Sequence, residues 1–186
     1  MKNYILPTVK LTIVMVVLVG IYLLFVYAGS KVLPTHGNAE IISYKDQRFY
    51  KNIGQEFKSP KYFHGRPSAV NYKADGSGAS NKGPSNKEYL EIVQKRIDTL
   101  KMQNPEMDNN KVPVELVTAS GSGLDPDISS EGALYQVKRI AKSRNISEQE
   151  VTELIHQNTT PPVLHLFGPA TVNVLQLNIA LDKLHP

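Results

Sequence analysis

The chain contains no cysteine. That excludes disulfides, thiolate metal centres and cysteine nucleophiles, and it suits an exported domain that folds without oxidation. Internal repeats and low-complexity tracts are also missing, so neither a solenoid nor a compositionally disordered chain is indicated. A large excess of charge of one sign is missing too. Lysine and arginine number 21 against 17 acids. Setting aside Lys2 and Lys10 leaves 19 against 17, a balance of about +2 (19 − 17) spread along the chain. The pI of about 9.1 therefore describes an ordinary solvated surface and not a nucleic-acid footprint.

Charge is wholly absent from one place, residues 11–30 (LTIVMVVLVGIYLLFVYAGS), bounded by Lys10 and Lys31. As a helix these twenty residues are about 30 Å long, the thickness of a bilayer's hydrocarbon core. Thr12 and Ser30 can bond back to the backbone, and Tyr22 and Tyr27 suit an interfacial belt. The stretch reads as one transmembrane helix. A cleaved signal peptide is the alternative, with Val26-Tyr27-Ala28 as a small-residue cleavage site, but the apolar run exceeds the roughly 7–15 residues of a signal core. The short amino-terminal tail carries Lys2 and Lys10 and no acid, so the positive-inside rule keeps it in the cytoplasm and places residues 31–186 outside. Val16, Gly20 and Leu24 share one stripe of this helix, and Gly20 permits close approach of a neighbouring helix. No second small residue lies four away, so a heteromeric neighbour is favoured over a homodimer.

The remainder divides into a connector, 31–40, and one domain, 41–186, long enough for a core of its own. The expected class is α+β: one amino-terminal span followed by a mixed α/β extracytoplasmic domain. A short strand is expected near residues 48–50. Residues 62–86 (YFHGRPSAVNYKADGSGASNKGPSN) are rich in Gly, Ser, Asn and Pro and predict irregular backbone. A loop this long is commonly a binding loop, and Tyr62, Phe63 and Tyr72 can pin it to a core. Ser85 to Glu88 reads as a capping box opening a helix with Leu90, Val93, Ile97 and Leu100 on one face, ended by Pro105. Residues 112–118 predict a buried strand. A second polar loop, 119–129, follows. A helix is expected over 130–143 with Leu134, Val137, Ile140 and Ala141 inward. Another begins at the capping box Ser147 to Glu150 and carries Val151, Leu154 and Ile155. Residues 163–167 predict a short strand, and 172–184 a helix, although Val172, Val174 and Gln176 also alternate like a strand.

Motifs with catalytic mechanics are missing. Gly78 to Gly83 has the glycine spacing of a P-loop, but Pro84 stands where the phosphate-binding lysine is required. Gly121-x-Gly123 lacks a third glycine. Neither Ser120 nor Ser122 sits in a Gly-x-Ser-x-Gly elbow. The histidines 36, 64, 156, 165 and 185 form no HExxH pair, so no metal site is expected. His64 reads as structural or, paired with Ser120 or Ser122, as part of an anchored hydrolase. Arg66 reads as an anion ligand or as a tie between the loop and backbone carbonyls. Asn145-Ile146-Ser147 and Asn158-Thr159-Thr160 match the glycosylation acceptor pattern, which is too short to carry weight alone.

Three blocks together resemble the KdpC subunit family of the bacterial Kdp-type potassium-transporting P-type ATPase. They are YFHGRPSA at 62–69 with SNKGPSN at 80–86, VELVTASGSGLDPDIS at 114–129, and VNVLQLNIALD at 172–182. The single span and the length match as well. One departure is Lys138, where the family pattern has a proline. The resemblance implies a non-catalytic accessory subunit of a high-affinity, ATP-driven potassium importer in the cell's inner membrane. Its implied partners are a channel-like subunit that translocates K⁺, a P-type ATPase subunit that hydrolyses ATP, and the lipid bilayer; nucleic acid is not among them. It also implies a catalytic chaperone that raises the ATPase subunit's affinity for ATP, and with it a nucleotide-binding label. No cofactor is expected on this chain itself, ATP and potassium being used by the complex. The chain has no Asp-Lys-Thr-Gly phosphorylation motif and no TVGYG-like filter, and one span encloses no pore. The candidate contact residues are Phe63, His64, Gly65, Arg66 and Pro67, then Gly83, Pro84, Ser85 and Asn86, and Ser120, Gly121, Ser122, Gly123, Asp125 and Asp127. Asp125 and Asp127 either enrich K⁺ locally, within a screening length of about 8 Å, or start a turn and cap the next helix. The rival to the subunit reading is an anchored extracytoplasmic hydrolase or binding protein.

Overall fold

The computed structural model describes residues 2–107, 111–164 and 166–184; His165 and His185 lie outside them. It divides into two units, Met1–Glu40 and Ile41–Pro186. The first is dominated by helix α1, Lys2–Val32, of which residues 4–32 are long and apolar enough to cross a membrane. Its described side chains lie almost wholly exposed. The helix starts earlier than expected, because Tyr4, Ile5 and Leu6 extend the apolar run upstream of Lys10. Pro7 lies in its second turn, where the missing N–H removes one hydrogen bond close to the free end and little helix stands upstream to be lost. Its hydroxyls are satisfied along the helix: Thr12 Oγ1 donates to the Thr8 carbonyl at 3.0 Å and Ser30 Oγ to Tyr27 at 2.7 Å.

The second unit opens with an antiparallel hairpin, β1 (Ile41–Tyr44) and β2 (Gln47–Tyr50), in which Ile41 faces Tyr50. Its two turn residues, Lys45 and Asp46, both have left-handed φ, 47° and 61°. That conformation matches the twist of a two-residue hairpin. Irregular backbone then runs to helix α2 (Lys87–Gln103). The cap of α2 differs from the expected box: Asn86, and not Ser85, is the N-cap, its side chain accepting from the Tyr89 N–H at 2.9 Å. Leu100 is buried and Val93 and Ile97 pack on the core, whereas Leu90 is exposed.

Residues 112–118 are not a strand. They hold a 3₁₀ turn, Val114–Leu116, entered from Pro113 at φ −60°. The valines suggested a strand, but Val114 points outward while Leu116 and Val117 turn inward; packing decides over β-propensity. Strand β3 (Asp127–Ser129) follows, and the helix expected over 130–143 is broken into α3 (Ser130–Leu134) and α4 (Val137–Arg144). Helix α4 closes on Asn145 in the left-handed conformation, φ 56°, a residue type that tolerates it. Helix α5 (Glu148–Gln157) has the reciprocal Ser147/Glu150 box. The strand expected at 163–167 is instead a single bridge between Val163 and Phe167. The paired strands are β4 (Thr159–Thr160) and β5 (Thr171–Asn173), and the chain ends in helix α6 (Val174–Leu184). Residues 172–184 thus carry both signals, strand for two residues and helix after.

Strands β3, β5 and β4 form one antiparallel sheet in that order, with Val172 opposite both Ile128 and Thr159. Against it pack Val151 and Ile155 of α5, Ile140 of α4 and Leu177 and Leu181 of α6, all fully or almost fully buried. Phe63, from the irregular stretch, is buried in the same core.

Candidate functional site

A loop whose backbone pairs with no strand must satisfy its peptide groups otherwise. Residues 60–64 do so through side chains of the core helices. Asn178 of α6, buried, accepts from the Phe63 N–H at 2.8 Å and donates to the Phe63 carbonyl at 3.0 Å. Gln136, at the break between α3 and α4, accepts from the His64 N–H at 2.8 Å and donates to the His64 carbonyl at 3.1 Å. Each carboxamide thus acts as the edge of a strand would. Arg139 of α4 donates to the carbonyls of Pro60 and Tyr62, to Gln136 Oε1 at 2.7 Å and to Asn104 Oδ1 at 3.3 Å. Those oxygens are all neutral, and burial draws its guanidinium pKa down to about 10, still charged at neutral pH. Burial also lowers the His64 pKa, with the Arg139 charge adding to the effect. His64 Nε2 lies 3.1 Å from the Ser59 carbonyl, so Nε2 carries the proton.

A second tether holds the hairpin side. Asp182 of α6 receives Arg144 at 2.7 Å, Tyr44 and Tyr62 at 3.0 Å each and Lys45 at 3.2 Å. Arg144 also lies over the Tyr62 ring, 4.8 Å from its centre. Burial alone raises the Asp182 pKa, but the hydrogen bonds from Arg144, Lys45, Tyr44 and Tyr62 together outweigh it and hold the pKa below the usual value.

With 60–64 fixed, the next residues meet the second polar loop. The Ser120 N–H donates to the Pro67 carbonyl at 3.0 Å, Ser68 Oγ to the Gly123 carbonyl at 2.6 Å, and the Gly78 N–H to the Ser122 carbonyl at 2.8 Å. Arg66 Nη1 pairs with Asp125 Oδ2 at 2.8 Å. Tyr72 donates from its hydroxyl to the Arg66 carbonyl at 2.6 Å, which closes the first loop on itself. Gly123 has φ +70°, and a Cβ there would stand 2.7 Å from the Gly78 carbonyl oxygen and from Val70 Cγ2. This is a position only glycine fills without displacing the facing loop.

The structure therefore brings Arg66, Pro67, Ser120, Ser122, Gly123 and Asp125 together. Phe63 is buried in the core, and a Cβ built on Gly65 would stand 3.8 Å from Val174 Cγ2 of α6. Gly83 to Asn86 go elsewhere: the Asn86 N–H closes a turn on the Gly83 carbonyl, and Asn86 caps α2. Asp125 does not cap the following helix; Ser129 does, accepting from the Gly132 N–H at 3.0 Å. Asp125 Oδ1 instead accepts from the Asp127 N–H at 3.1 Å. Burial raises the Asp127 pKa, against the hydrogen bond from Asn173. Arg66 ties the first loop to the second through the Asp125 carboxylate. Ser122 Oγ accepts from the Leu124 N–H at 3.1 Å and Ser120 is buried; His64 is engaged with Ser59. That leaves no nucleophile–base pair drawn between them, and among the described residues no cluster of three His, Asp or Glu could hold a metal. Gln136, Arg139, Asn178 and Asp182 went unassigned in the sequence. The signal was there only for the last helix, where Asn178 falls on the apolar face.

Beside Arg66 lies an open recess of about 420 Å³, lined also by Lys111, Glu115, Thr118, Ser129 and Glu131. Glu115 Oε1 accepts from both the N–H and the hydroxyl of Ser129, at 2.8 and 2.7 Å. The buried Arg66 Nε has no hydrogen-bond partner among the described residues.

The family model described as KdpC, the K⁺-transporting ATPase c chain, matches residues 5–183. The potassium-transporting ATPase KdpC subunit of Flavobacterium johnsoniae is 50% identical over 186 residues, covering 99% of this chain and 100% of that protein. The KdpC subunit of Bacteroides fragilis is 43% identical over 184 residues, 96% of each chain. That of Bacillus cereus (strain Q1) is 42% identical over 182 residues, 96% of this chain and 94% of the relative.

Proposed function

Because the chain belongs to the KdpC family, the c chain of K⁺-transporting ATPases, we propose that its two-loop surface is where it meets the rest of the pump. It is a non-catalytic accessory subunit of an ATP-driven potassium importer. Its amino-terminal helix makes it a single-pass inner-membrane protein with the amino terminus in the cytoplasm and the domain outside. Hydrolysis and ion selection fall to other subunits, a P-type ATPase and a channel-like translocator.

The observation that carries the docking proposal is the closure of the two loops on each other around Gly123, where Ser68 Oγ donates to the Gly123 carbonyl at 2.6 Å and the Gly78 N–H to the Ser122 carbonyl at 2.8 Å. Loops that serve only as connections have no need of so close a fit, whereas a surface laid against another backbone does. In the membrane, the stripe of Val16, Gly20 and Leu24 is the proposed contact with a neighbouring helix; among the described residues no atom outside the helix lies within 4 Å of a Cβ built on Gly20. Gly20→Leu is expected to weaken assembly while the outer domain stays folded.

The domain lies where ATP is scarce. A rise in the ATPase subunit's nucleotide affinity therefore requires coupling through the complex: this chain must contact two conformations of that subunit unequally. The docking test uses the absence of native cysteine. A photoreactive label on Gly121→Cys, a position open to solvent, is introduced into the assembled pump. Crosslinking to the large channel-like subunit is expected. Crosslinking confined to lipid, or none at all, would contradict the docking proposal.

A further inference from the structure

We propose that Val163, Leu164, Leu166 and Phe167 form a second membrane contact, an apolar tip that seats in the headgroup–acyl boundary of the bilayer. These four side chains are 68%, 77%, 80% and 65% exposed. They are held outward on a tight turn whose base is set by Pro161 and Pro162 on one side and Gly168 and Pro169 on the other. An apolar cluster presented to water in this way marks a contact surface.

Three observations select lipid as the occupant. The first is charge. From residue 154 to residue 181 there is no Asp, Glu, Lys or Arg, and the ionisable side chains of that stretch are His156 and His165, so entry requires no carboxylate, ammonium or guanidinium near the tip in sequence to be desolvated. The second is the backbone. The Val163 N–H donates to the Phe167 carbonyl at 2.9 Å, and the Val163 carbonyl accepts from Phe167 at 2.9 Å and from Leu166 at 3.1 Å. The prolines have no N–H to satisfy. The three N–H groups of Val163, Leu166 and Phe167 are thus satisfied within the turn, which lowers the cost of leaving water. The third is strain. Leu164 has φ +53°, a conformation that glycine or asparagine adopts at lower cost. An apolar side chain kept at such a position points to a use for that side chain. The inference rests on the reading that the amino-terminal helix holds this chain in a bilayer.

The test uses the full chain in vesicles of phosphatidylcholine and phosphatidylglycerol. Single cysteines, Leu166→Cys, Met102→Cys and Gly20→Cys, each carry a nitroxide, and collision with oxygen is compared with collision with a water-soluble nickel chelate. Met102 is 82% exposed beside charged Lys101, and serves as the aqueous control. The expected result is an oxygen-to-nickel ratio at Leu166 well above that at Met102 and approaching that at Gly20. A Leu166 label as aqueous as Met102 while Gly20 reads hydrocarbon would overturn the tip alone. An aqueous Gly20 would remove the anchor and this inference with it. A Leu166 label shielded only after the other pump subunits are added would assign the tip to a protein groove and overturn the lipid assignment.

Discussion

Adding one methyl group at Gly123 should separate two loops that adding one at Gly121 leaves alone. At Gly123 the alanine Cβ would stand 2.7 Å from the Gly78 carbonyl oxygen and 2.7 Å from Val70 Cγ2, on a backbone at φ +70°. The left-handed conformation costs a non-glycine residue roughly 1–2 kcal/mol. The Gly78 oxygen belongs to backbone and cannot swing aside, so the loops must part. The bonds at risk are Gly78 N–H to Ser122 and Ser68 Oγ to Gly123, at 2.8 and 2.6 Å; each contributes about 1 kcal/mol. The expected loss is about 2–4 kcal/mol, or roughly 4–16 °C of melting temperature for a domain of this size. At Gly121 nothing lies within 4 Å and φ is not left-handed, so alanine should stay within about 0.5 kcal/mol. Thermal melts of the full chain in detergent, followed by circular dichroism, measure both. In the assembled pump, Gly123→Ala should also lower recovery of the complex more than Gly121→Ala. Equal shifts for the two variants would refute the closed two-loop surface.

Asn178→Leu keeps the size of a side chain that is 2% exposed but strands the Phe63 N–H and carbonyl; at about 1–3 kcal/mol per stranded group the loss should be roughly 2–6 kcal/mol by urea titration, and a loss under about 1 kcal/mol would show that other groups hold the loop. Acid should unfold the domain in two stages. His64 has a lowered pKa, so the unfolded chain binds its proton first and stability falls as pH drops below about 6.5. Asp182 has a depressed pKa, so its contribution is present above about pH 4 and lost as pH falls through the folded value. Melting temperature against pH should lose the first slope in His64→Gln and the second in Asp182→Asn; unchanged profiles would refute these assignments. A double-mutant cycle of Arg66→Ala and Asp125→Ala should give a coupling of about 1 kcal/mol or less, since both side chains are over a quarter exposed, and a coupling that survives at high salt would point to contacts beyond the ion pair.

Legibility in the sequence follows the range of the interaction that decides each feature. The Ser147/Glu150 box is local, and it is present in the structure as its residue pattern predicts. One residue upstream of α2 the same pattern misleads, because Ser85 and Asn86 are both competent caps and only the turn closed by Asn86 on Gly83 selects between them. The break between α3 and α4 has no glycine or proline to announce it. It coincides with Gln136, whose fully buried carboxamide serves the His64 peptide 72 positions away, and apolar spacing is blind to a demand of that kind. The same holds for Arg139, which in sequence reads as a solvated helix charge. The two polar loops were visible as unusual composition. That they touch each other, and that Arg66 takes Asp125, is tertiary information carried by residues 59 positions apart.

The central claim is that this chain serves a potassium pump without performing its chemistry. The most direct test purifies the pump through a tag on its P-type ATPase subunit, with and without this chain, and measures K⁺-stimulated ATPase activity across ATP concentration. The account predicts that the chain and the channel-like subunit are recovered in equal amounts, that the chain alone hydrolyses no ATP, and that its omission raises the ATP concentration needed for half-maximal activity until purified chain is restored. A pump that assembles without the chain and shows unchanged K⁺ stimulation and ATP dependence would contradict it.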